Sequence, residues 1–200
     1  MSEKPVHIPV LLSETIEALN IKPDGIYVDC TTGFAGHSSE IAKRLTSGRL
    51  IGFDRDPDAI KAADEKLKEY PHTLINRKFS TFDESLDELG VEKVDGVLMD
   101  LGVSSYQLDT AERGFSYHED APLDMRMSKS GLSAYDVVNE YSKEQLEKIL
   151  FEYGEEKFAH GIVGGILRAR EEAPIKTTLE LAEIVKRNVP LKVRKETNPC

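Results

Sequence analysis

The alternation of short apolar runs with amphipathic stretches between residues 26 and 101 constrains the fold of this chain more than any other feature. Residues 26–30, 49–54, 73–79 and 94–101 have the composition of buried strands. The intervening stretches, 38–45, 56–70 and 81–89, space their apolar residues as helices do. Strands that alternate with helices form parallel sheets with right-handed crossovers. The sequence therefore predicts an α/β fold with a doubly wound, mostly parallel, Rossmann-like sheet.

The strand pattern stops after residue 101. Residues 102–131 show no sustained period and contain many turn-forming residues, which predicts a long functional loop. Helices are predicted at 133–141, 142–154, 155–170 and 177–189, and both Ser142 with Gln145 and Thr177 with Glu180 fit a capping box. We therefore predict two domains, a sheet core at 1–105 and a loop with a helical subdomain at 106–200.

Composition narrows the class of protein. No apolar run approaches the ~18 residues of a membrane span, and the first 19 residues lack the features of a signal peptide, so we expect a cytoplasmic protein. Cys30 and Cys200 lie far apart, which predicts no disulfide framework. The five histidines never fall three to five residues apart, so no metal site is predicted. Any cofactor is expected to be organic.

The charge distribution is uneven. A net charge of −10 argues mildly against a simple electrostatic nucleic-acid binder. Residues 161–200, however, contain eight basic and five acidic side chains. This basic tail permits an anionic partner.

Polar or aromatic groups are predicted at the carboxyl ends of all four strands. Gly33 and Gly36 follow the first strand, Asp54 ends the second, Phe79 the third and Asp100 the fourth. Ligands of open parallel sheets bind at this edge. A glycine turn for a polar tail, a carboxylate for ribose hydroxyls and an aromatic face for a base together predict a nucleoside-type ligand.

Each of these groups also has a purely structural interpretation. The two glycines could serve only a tight connection, Asp54 could cap the next helix, Phe79 could belong to the core, and His37 could simply begin a helix. Four strand ends that carry suitable groups in order favour the ligand site. The register T-T-G-F-A-G-H lacks the first glycine of a dinucleotide fingerprint. Asp29 near the turn offers an acceptor for an ammonium, so S-adenosylmethionine (SAM) is favoured over NAD.

Six segments of the chain closely resemble the bacterial 16S ribosomal RNA cytosine-N4 methyltransferase family. They are HIPVLLSETIEALN, GIYVDCTTGFAGHS, RLIGFDRDPDAI, DGVLMDLGVSSYQLDTAERGFSYHEDAPLDMRM, YGEEKFA and TTLELAEIVKRNVP. The resemblance covers nearly the whole chain. It implies a methyltransferase sheet with a helical substrate-recognition insertion, and methyl transfer from SAM to the exocyclic amine of a cytidine in the decoding region of the small ribosomal subunit.

The resemblance also implies which residues contact the cofactor. They are Ala35, Gly36, His37, Asp54, Phe79, Asp100 and Gln107. Gln107 rests on the resemblance alone, whereas the others agree with the strand-end positions. Members of the family commonly carry glycine where Cys30 and Ala35 stand. Similar proteins also continue well beyond residue 200, so we expect this chain to lack the last strands of the sheet.

The proton acceptor for the cytidine amine is expected near the end of the fourth strand or in the loop behind it. The available groups are Asp100, Ser104, Ser105, Asp109 and Asp124. Asp100 is assigned to the cofactor, which leaves Asp124 as the catalytic candidate. Asp109 and Asp124 could equally organise the loop by bonding to backbone N–H groups.

Basic and aromatic side chains give a set of candidate RNA contacts. In the loop they are Arg113, Phe115, Tyr117 and Arg126, and around the last helix they are Lys186, Arg187, Lys192, Arg194 and Lys195. Guanidinium and aromatic groups suit phosphate contact and base stacking. Alternatively, Phe115 could anchor the loop to the core, and the basic residues could form a solvated helix face.

Two other functions stay open at this point. A non-catalytic fragment that keeps cofactor affinity is one, and an NAD-dependent oxidoreductase is the other. The predicted partner is 16S ribosomal RNA in the small subunit, and a homodimer is possible.

Overall fold

A computed structural model of the chain describes residues 9–190. The chain divides into two compact units, Met1–Ser104 and Ser105–Cys200. Each unit has its own hydrophobic core, and the two are described separately below.

The first unit is built on a four-stranded parallel sheet. The strands are β1 (Ile26–Asp29), β2 (Arg49–Phe53), β3 (His72–Ile75) and β4 (Gly96–Leu98), in the order β3-β2-β1-β4. All three pairings are parallel. The helices of this unit are α1 (Leu12–Leu19), α2 (Gly36–Ala42), α3 (Pro57–Leu67) and α4 (Phe82–Glu88). The predicted parallel α/β fold is confirmed.

Both faces of the sheet are covered, as the unbroken apolar character of the strands requires. Tyr27 and Leu50 point to one face, where they pack in a core with residues of α1, α2 and α3. Val28 and Ile51 point to the other face and pack in a core that includes Leu86 of α4. The sheet is therefore doubly wound, because successive strand residues enter different cores.

All four strands are shorter than predicted: β1 and β2 each end one residue early, and β3 and β4 differ more. The prediction that Phe79 ends the third strand is wrong, because β3 ends at Ile75 and Phe79 begins a 3-10 helix (Phe79–Thr81). The chain leaves the sheet because the N–H of Arg77 turns back to the carbonyl of Ile75 at 3.0 Å. β4 ends at Leu98, so Asp100 lies two residues beyond it. Helix α1 was not foreseen from the sequence.

The described part of the second unit is largely helical. Its α-helices are α5 (Ser105–Asp109), α6 (Ala134–Glu140), α7 (Lys143–Lys148), α8 (Ala159–Glu172) and α9 (Thr178–Arg187), with a 3-10 helix at Ala111–Arg113 and a π-helical turn at Ile149–Tyr153. The capping boxes at Ser142 and Thr177 are confirmed. The predicted loop at 102–131 contains α5 and the 3-10 helix. Its segment at Ala121 is fixed to the start of α9, because Thr178 donates its N–H to the carbonyl of Ala121 at 2.8 Å.

Among residues 9–190, no helix is both long and apolar enough to cross a membrane.

Candidate functional site

Two threonines fix the turn that follows β1. Thr32 donates its N–H to the carbonyl of Phe53 at 2.9 Å, which ties the turn to the end of β2. Its carbonyl accepts the N–H of Ala35 at 2.8 Å and so closes the turn before α2. Thr31 donates its N–H to Oδ1 of Asp29 at 3.1 Å. The turn is therefore held by both neighbouring strands.

The side chain of Asp29 holds this turn in place. Its carboxylate is 1% exposed and accepts bonds from the Thr31 N–H and from the Ser38 hydroxyl, the latter at 2.6 Å. Burial raises the pKa of Asp29, and the bonds from Ser38 and Thr31 oppose that rise. Both oxygens have partners within the protein. The carboxylate predicted as an acceptor for an ammonium is thus engaged in holding the turn.

The predicted cofactor residues Ala35, Gly36 and His37 lie where the turn enters α2. Gly33 and Ala35 both have left-handed backbones, with φ of +51° and +54°. Gly36 lies so close to the ring of Pro9 that a Cβ would collide with it. The ring of His37 is buried and its Nε2 lies 3.2 Å from the carbonyl of Val10. Residues near the start of the described chain therefore pack against this turn.

Asp54 follows β2 directly and is bonded to the β1 turn. Its Oδ2 accepts the N–H of Gly33 at 2.8 Å, and its Oδ1 accepts the N–H of Asp56 at 2.8 Å. The side chain of Asn76 donates to the Asp54 carbonyl at 2.8 Å. Partial burial raises the pKa of Asp54, and the two N–H bonds oppose that rise. Each carboxylate oxygen has a further lone pair, so the group can still accept ribose hydroxyls.

Asp100 is joined to the same turn from the β4 side. Its N–H donates to Oγ1 of Thr31 at 2.7 Å. The side chain is exposed. Phe79 is also exposed and lies four residues past the end of β3.

The first unit therefore brings three of the predicted groups, the glycine turn, Asp54 and Asp100, together by direct hydrogen bonds. Acceptor carboxylates beside a left-handed glycine turn fit a nucleoside with hydroxyl donors, as a SAM site requires. Gln107 belongs to α5 of the second unit, where it is 5% exposed. Its assignment to the cofactor stays a prediction.

Asp124, the catalytic candidate, is bonded within its own loop. Arg126 donates from Nη2 to Oδ2 at 2.5 Å and from its backbone N–H to Oδ1 at 2.9 Å. These bonds lower the pKa of Asp124. A carboxylate with a lowered pKa is a weaker proton acceptor. The contacts match the loop-organising alternative, and the catalytic role of Asp124 stays a prediction.

The predicted RNA contacts in this loop have different surroundings. Arg113 is 7% exposed and donates from Nη2 to the carbonyls of Arg126 and Met127, at 3.0 and 2.9 Å. Phe115 is half-buried. The ring of Tyr117 lies 5.6 Å from that of His118. Arg113 and Arg126 therefore contribute to holding the loop.

The basic group around the last helix is only partly described. Lys186 forms an ion pair with Glu183 at 3.4 Å, and Arg187 is an exposed residue at the end of α9. Lys192, Arg194 and Lys195 lie outside the described residues.

Sequence reasoning did not assign Thr31 or Asn76 to the site. Both connect strand ends that are distant in sequence, 69 residues apart for Thr31 and Asp100 and 22 for Asn76 and Asp54. Thr31 directly follows a predicted strand, and Asn76 lies inside the predicted strand 73–79, so a polar side chain near a strand was the only local signal. Such a signal marks many residues and identifies no partner.

The fold and these contacts define a doubly wound α/β protein with a polar site at the carboxyl edge of its parallel sheet. The chain belongs to the MraW methylase family, whose model matches residues 4–200. The family resemblance recognised in the sequence is thereby confirmed.

Curated relatives are longer than this chain. A protein of Clostridium botulinum (strain Kyoto / Type A2) named ribosomal RNA small subunit methyltransferase H is 57% identical over 197 residues, which make up 97% of this chain and 64% of that protein. A protein of Lachnospira eligens with the same name is 57% identical over 192 residues, 94% of this chain and 61% of that protein. The chain thus spans less than two thirds of the length of these relatives.

Solved structures are more distant. The chain is similar to an rRNA methylase from Streptococcus thermophilus, with a TM-score of 0.37 and 23% identity over 51% of this chain and 57% of that one. This likeness is too low to support a functional argument.

Proposed function

We propose that this chain binds SAM and directs methyl transfer to the N4 amine of a cytidine in 16S ribosomal RNA, in the decoding region of the small subunit. Membership of the MraW methylase family supports methyl transfer. The names of the relatives support a small-subunit ribosomal RNA substrate. This substrate implies a cytoplasmic location.

The observation that carries the cofactor assignment is the bond between Gly33 and Asp54. At 2.8 Å it fixes the carboxylate after β2 against the glycine turn after β1. A ribose needs an acceptor for its hydroxyls, and the tail of the same ligand needs a backbone that it can approach closely. The contact between Gly33 and Asp54 provides for both requirements. The turn also lacks the first glycine of the dinucleotide fingerprint, which favours SAM over NAD.

SAM supplies an electrophilic methyl group on a sulfonium. The amine of cytosine is a weak nucleophile, because its lone pair is delocalised into the ring. The protein must therefore align that amine with the methyl group and accept its proton as the nitrogen becomes tetrahedral. No covalent protein nucleophile is needed. Asp124 is the proposed proton acceptor, and Arg113, Phe115, Tyr117 and Arg126 are proposed to act in holding the RNA.

Calorimetric titration of the 200-residue chain with SAM tests the cofactor assignment, with NAD as the control. Binding of SAM alone is the expected result. Binding of NAD alone would favour the oxidoreductase, and binding of neither would contradict the proposed site.

Transfer is tested by incubating the chain with isolated small ribosomal subunits and SAM that carries a labelled methyl group. Nucleosides from the digested RNA are then separated and identified by mass. Labelled N4-methylcytidine supports the proposal. Label on another nucleoside, or on protein, would contradict the assigned substrate.

A cofactor-binding role without turnover is the second candidate. The observation that favours it is the bonding of the Asp124 carboxylate to Arg126, which makes this candidate a weaker acceptor for the amine proton. SAM binding with no labelled RNA product would select this second candidate.

A further inference from the structure

Thr31 stands where the chain order of the sheet reverses. β1 has β2 and then β3 on one side and β4 on the other. Ligands of open parallel sheets bind at such a reversal, in the crevice beyond the carboxyl ends of the two strands. Thr31 is the second residue after β1, so it borders this crevice.

Beyond the ends of β1 and β4, the side chain of Thr31 links the two chains in place of backbone pairing. Asp29 is paired with Leu98 in the parallel register, and Cys30 still donates its N–H to the Leu98 carbonyl at 2.9 Å. The next bond, from the Asp100 N–H, goes to Oγ1 of Thr31 at 2.7 Å. Because a side chain replaces a backbone acceptor, the two main chains can lie farther apart and still be linked by a hydrogen bond.

Thr31 is itself held in place. Its N–H donates to the buried carboxylate of Asp29, which also accepts a bond from Ser38. A hydroxyl group has one hydrogen to donate in addition to its acceptor lone pairs. In the contacts of residues 9–190, the Thr31 hydroxyl acts as an acceptor for Asp100, and no bond donated by it is found. A donor at the reversal point thus complements the carboxylates of Asp54 and Asp100.

We infer that Thr31 is a positioning residue of the cofactor site, whose hydroxyl holds the chain at Asp100 against the glycine turn so that both contact the same ligand. The inference rests on the proposed function, since the ligand is taken to be SAM. It adds to that proposal a residue outside the set that the family resemblance implied.

The test compares the affinities of four proteins for SAM by calorimetry. They are the wild-type chain, Thr31→Val, Thr31→Ser and Thr46→Val. Valine keeps the shape of threonine and removes the hydroxyl, whereas serine keeps the hydroxyl. Thr46 is the matched control, because its hydroxyl bonds to the carbonyl of Pro23 at 3.3 Å, in the segment that precedes β2 rather than in a turn that follows a strand.

Thr31→Val is expected to weaken SAM binding about 3- to 10-fold, which is the range for one neutral hydrogen bond. Thr31→Ser should restore most of that loss, and Thr46→Val should bind as the wild type does. Amide hydrogen exchange at Asp100 should be faster in Thr31→Val than in Thr46→Val. Should the valine variant fail to fold, Thr31→Ala measured against Thr31→Ser gives the same comparison.

Equal affinity of Thr31→Val and wild type would overturn the inference and leave the proposed function intact. Equal loss in the valine and serine variants would overturn it too, because the hydroxyl would not be the cause. A wild-type chain without affinity for SAM would overturn the proposed function and, with it, this inference.

Discussion

The two units hold their candidate site carboxylates in different ways. Asp54, in the first unit, accepts bonds from the backbone N–H groups of Gly33 and Asp56. Asp124, in the second, accepts bonds from the guanidinium of Arg126, as well as from its backbone. The N–H groups orient Asp54 and bring no opposing full charge, whereas the guanidinium gives the ionised Asp124 a counter-charge and lowers its pKa. A carboxylate without a counter-charge is suited to bind a ligand, and one paired with an arginine is suited to hold a loop.

The largest expected effect tests whether the units can be destabilised separately. Gly114 has a φ of +70°, and a Cβ there would lie 2.5 Å from the carbonyl oxygen of Pro122. Gly114→Ala should therefore lower the free energy of unfolding of the second unit by roughly 2 to 4 kcal/mol, from backbone strain and overpacking together. Amide exchange during urea titration would report each unit separately.

Gly131→Ala is the control for that substitution. Gly131 also has a positive φ, +79°, but no atom lies within 4 Å of a Cβ built there. It should lower stability by only ~1 kcal/mol, the contribution of strain alone. Equal effects of the two substitutions would contradict the close packing around Gly114.

The comparison of the two carboxylates predicts that only one of them contributes to cofactor binding. Asp54→Ala should weaken SAM binding by ~1.5 to 3 kcal/mol, because a charge-assisted bond to the ligand is lost. Asp124→Asn is the matched variant, and it should leave the affinity unchanged while slowing methyl transfer. Calorimetry with both variants checks the first effect, and incorporation of labelled methyl into RNA checks the second.

Each of the two variants has one result that would contradict the roles assigned to these carboxylates. Unchanged affinity in Asp54→Ala would remove the ribose assignment. Normal turnover in Asp124→Asn would remove Asp124 from the catalytic candidates and leave it with the loop alone.

The pH dependence of stability should also distinguish the units. Cys30 is the only cysteine among residues 9–190, and burial raises the pKa of its thiol to about 11, with the nearby charge of Asp29 adding to the rise. The unfolded chain releases this proton near pH 9 and the folded chain does not. The resulting stabilisation is complete below pH 9 and is lost as the pH rises towards 11.

The loss is expected to be about 1 to 2 kcal/mol, below the ~2.7 kcal/mol of two full pKa units. It should appear as a steeper fall in the unfolding free energy of wild type than of Cys30→Ala over this range. Denaturant titration at several pH values measures the unfolding free energy of both proteins. The titration of tyrosine and lysine groups is common to both and cancels in the difference. Parallel curves for the two proteins would show that Cys30 ionises freely in the folded state.

The smallest effect concerns a helix cap of the second unit. Thr177 accepts the N–H of Glu180, whose carboxylate accepts the N–H of Thr177 in return. Thr177→Ala should destabilise this unit by ~1 kcal/mol, and Thr177→Ser should restore it. The unfolding midpoint in urea is the measurement. A loss of stability in the first unit instead would show that the cap acts beyond its own helix.

Local patterns were sufficient to predict much of the first unit and, within one residue, the starts of α6, α7 and α9 in the second. The capping boxes of α7 and α9 were readable because each spans only four residues. Asp54 was readable because it directly follows a strand. These features depend on neighbours in sequence, so their physical causes are present in short segments.

Other features could not be read from the sequence in this way. The strand 73–79 was predicted too long, because the turn of Arg77 onto Ile75 competes with a run of residues that otherwise suits a strand. The buried, left-handed Ala35 violates the usual preference for glycine. The bond between Thr31 and Asp100 joins residues with no pattern in common, and Gln107 came from the family resemblance alone.

The bond between Thr31 and Asp100 also has a consequence for synthesis of the chain. The two residues are separated by 69 positions. At a translation rate of roughly 5 to 20 residues per second, the ribosome needs roughly 3 to 14 s to progress from one to the other. During that interval the turn after β1 can close on β2 and cannot yet close on β4. The half of the site that carries Asp54 can therefore form first on the nascent chain, and the half that carries Asp100 can join it only later.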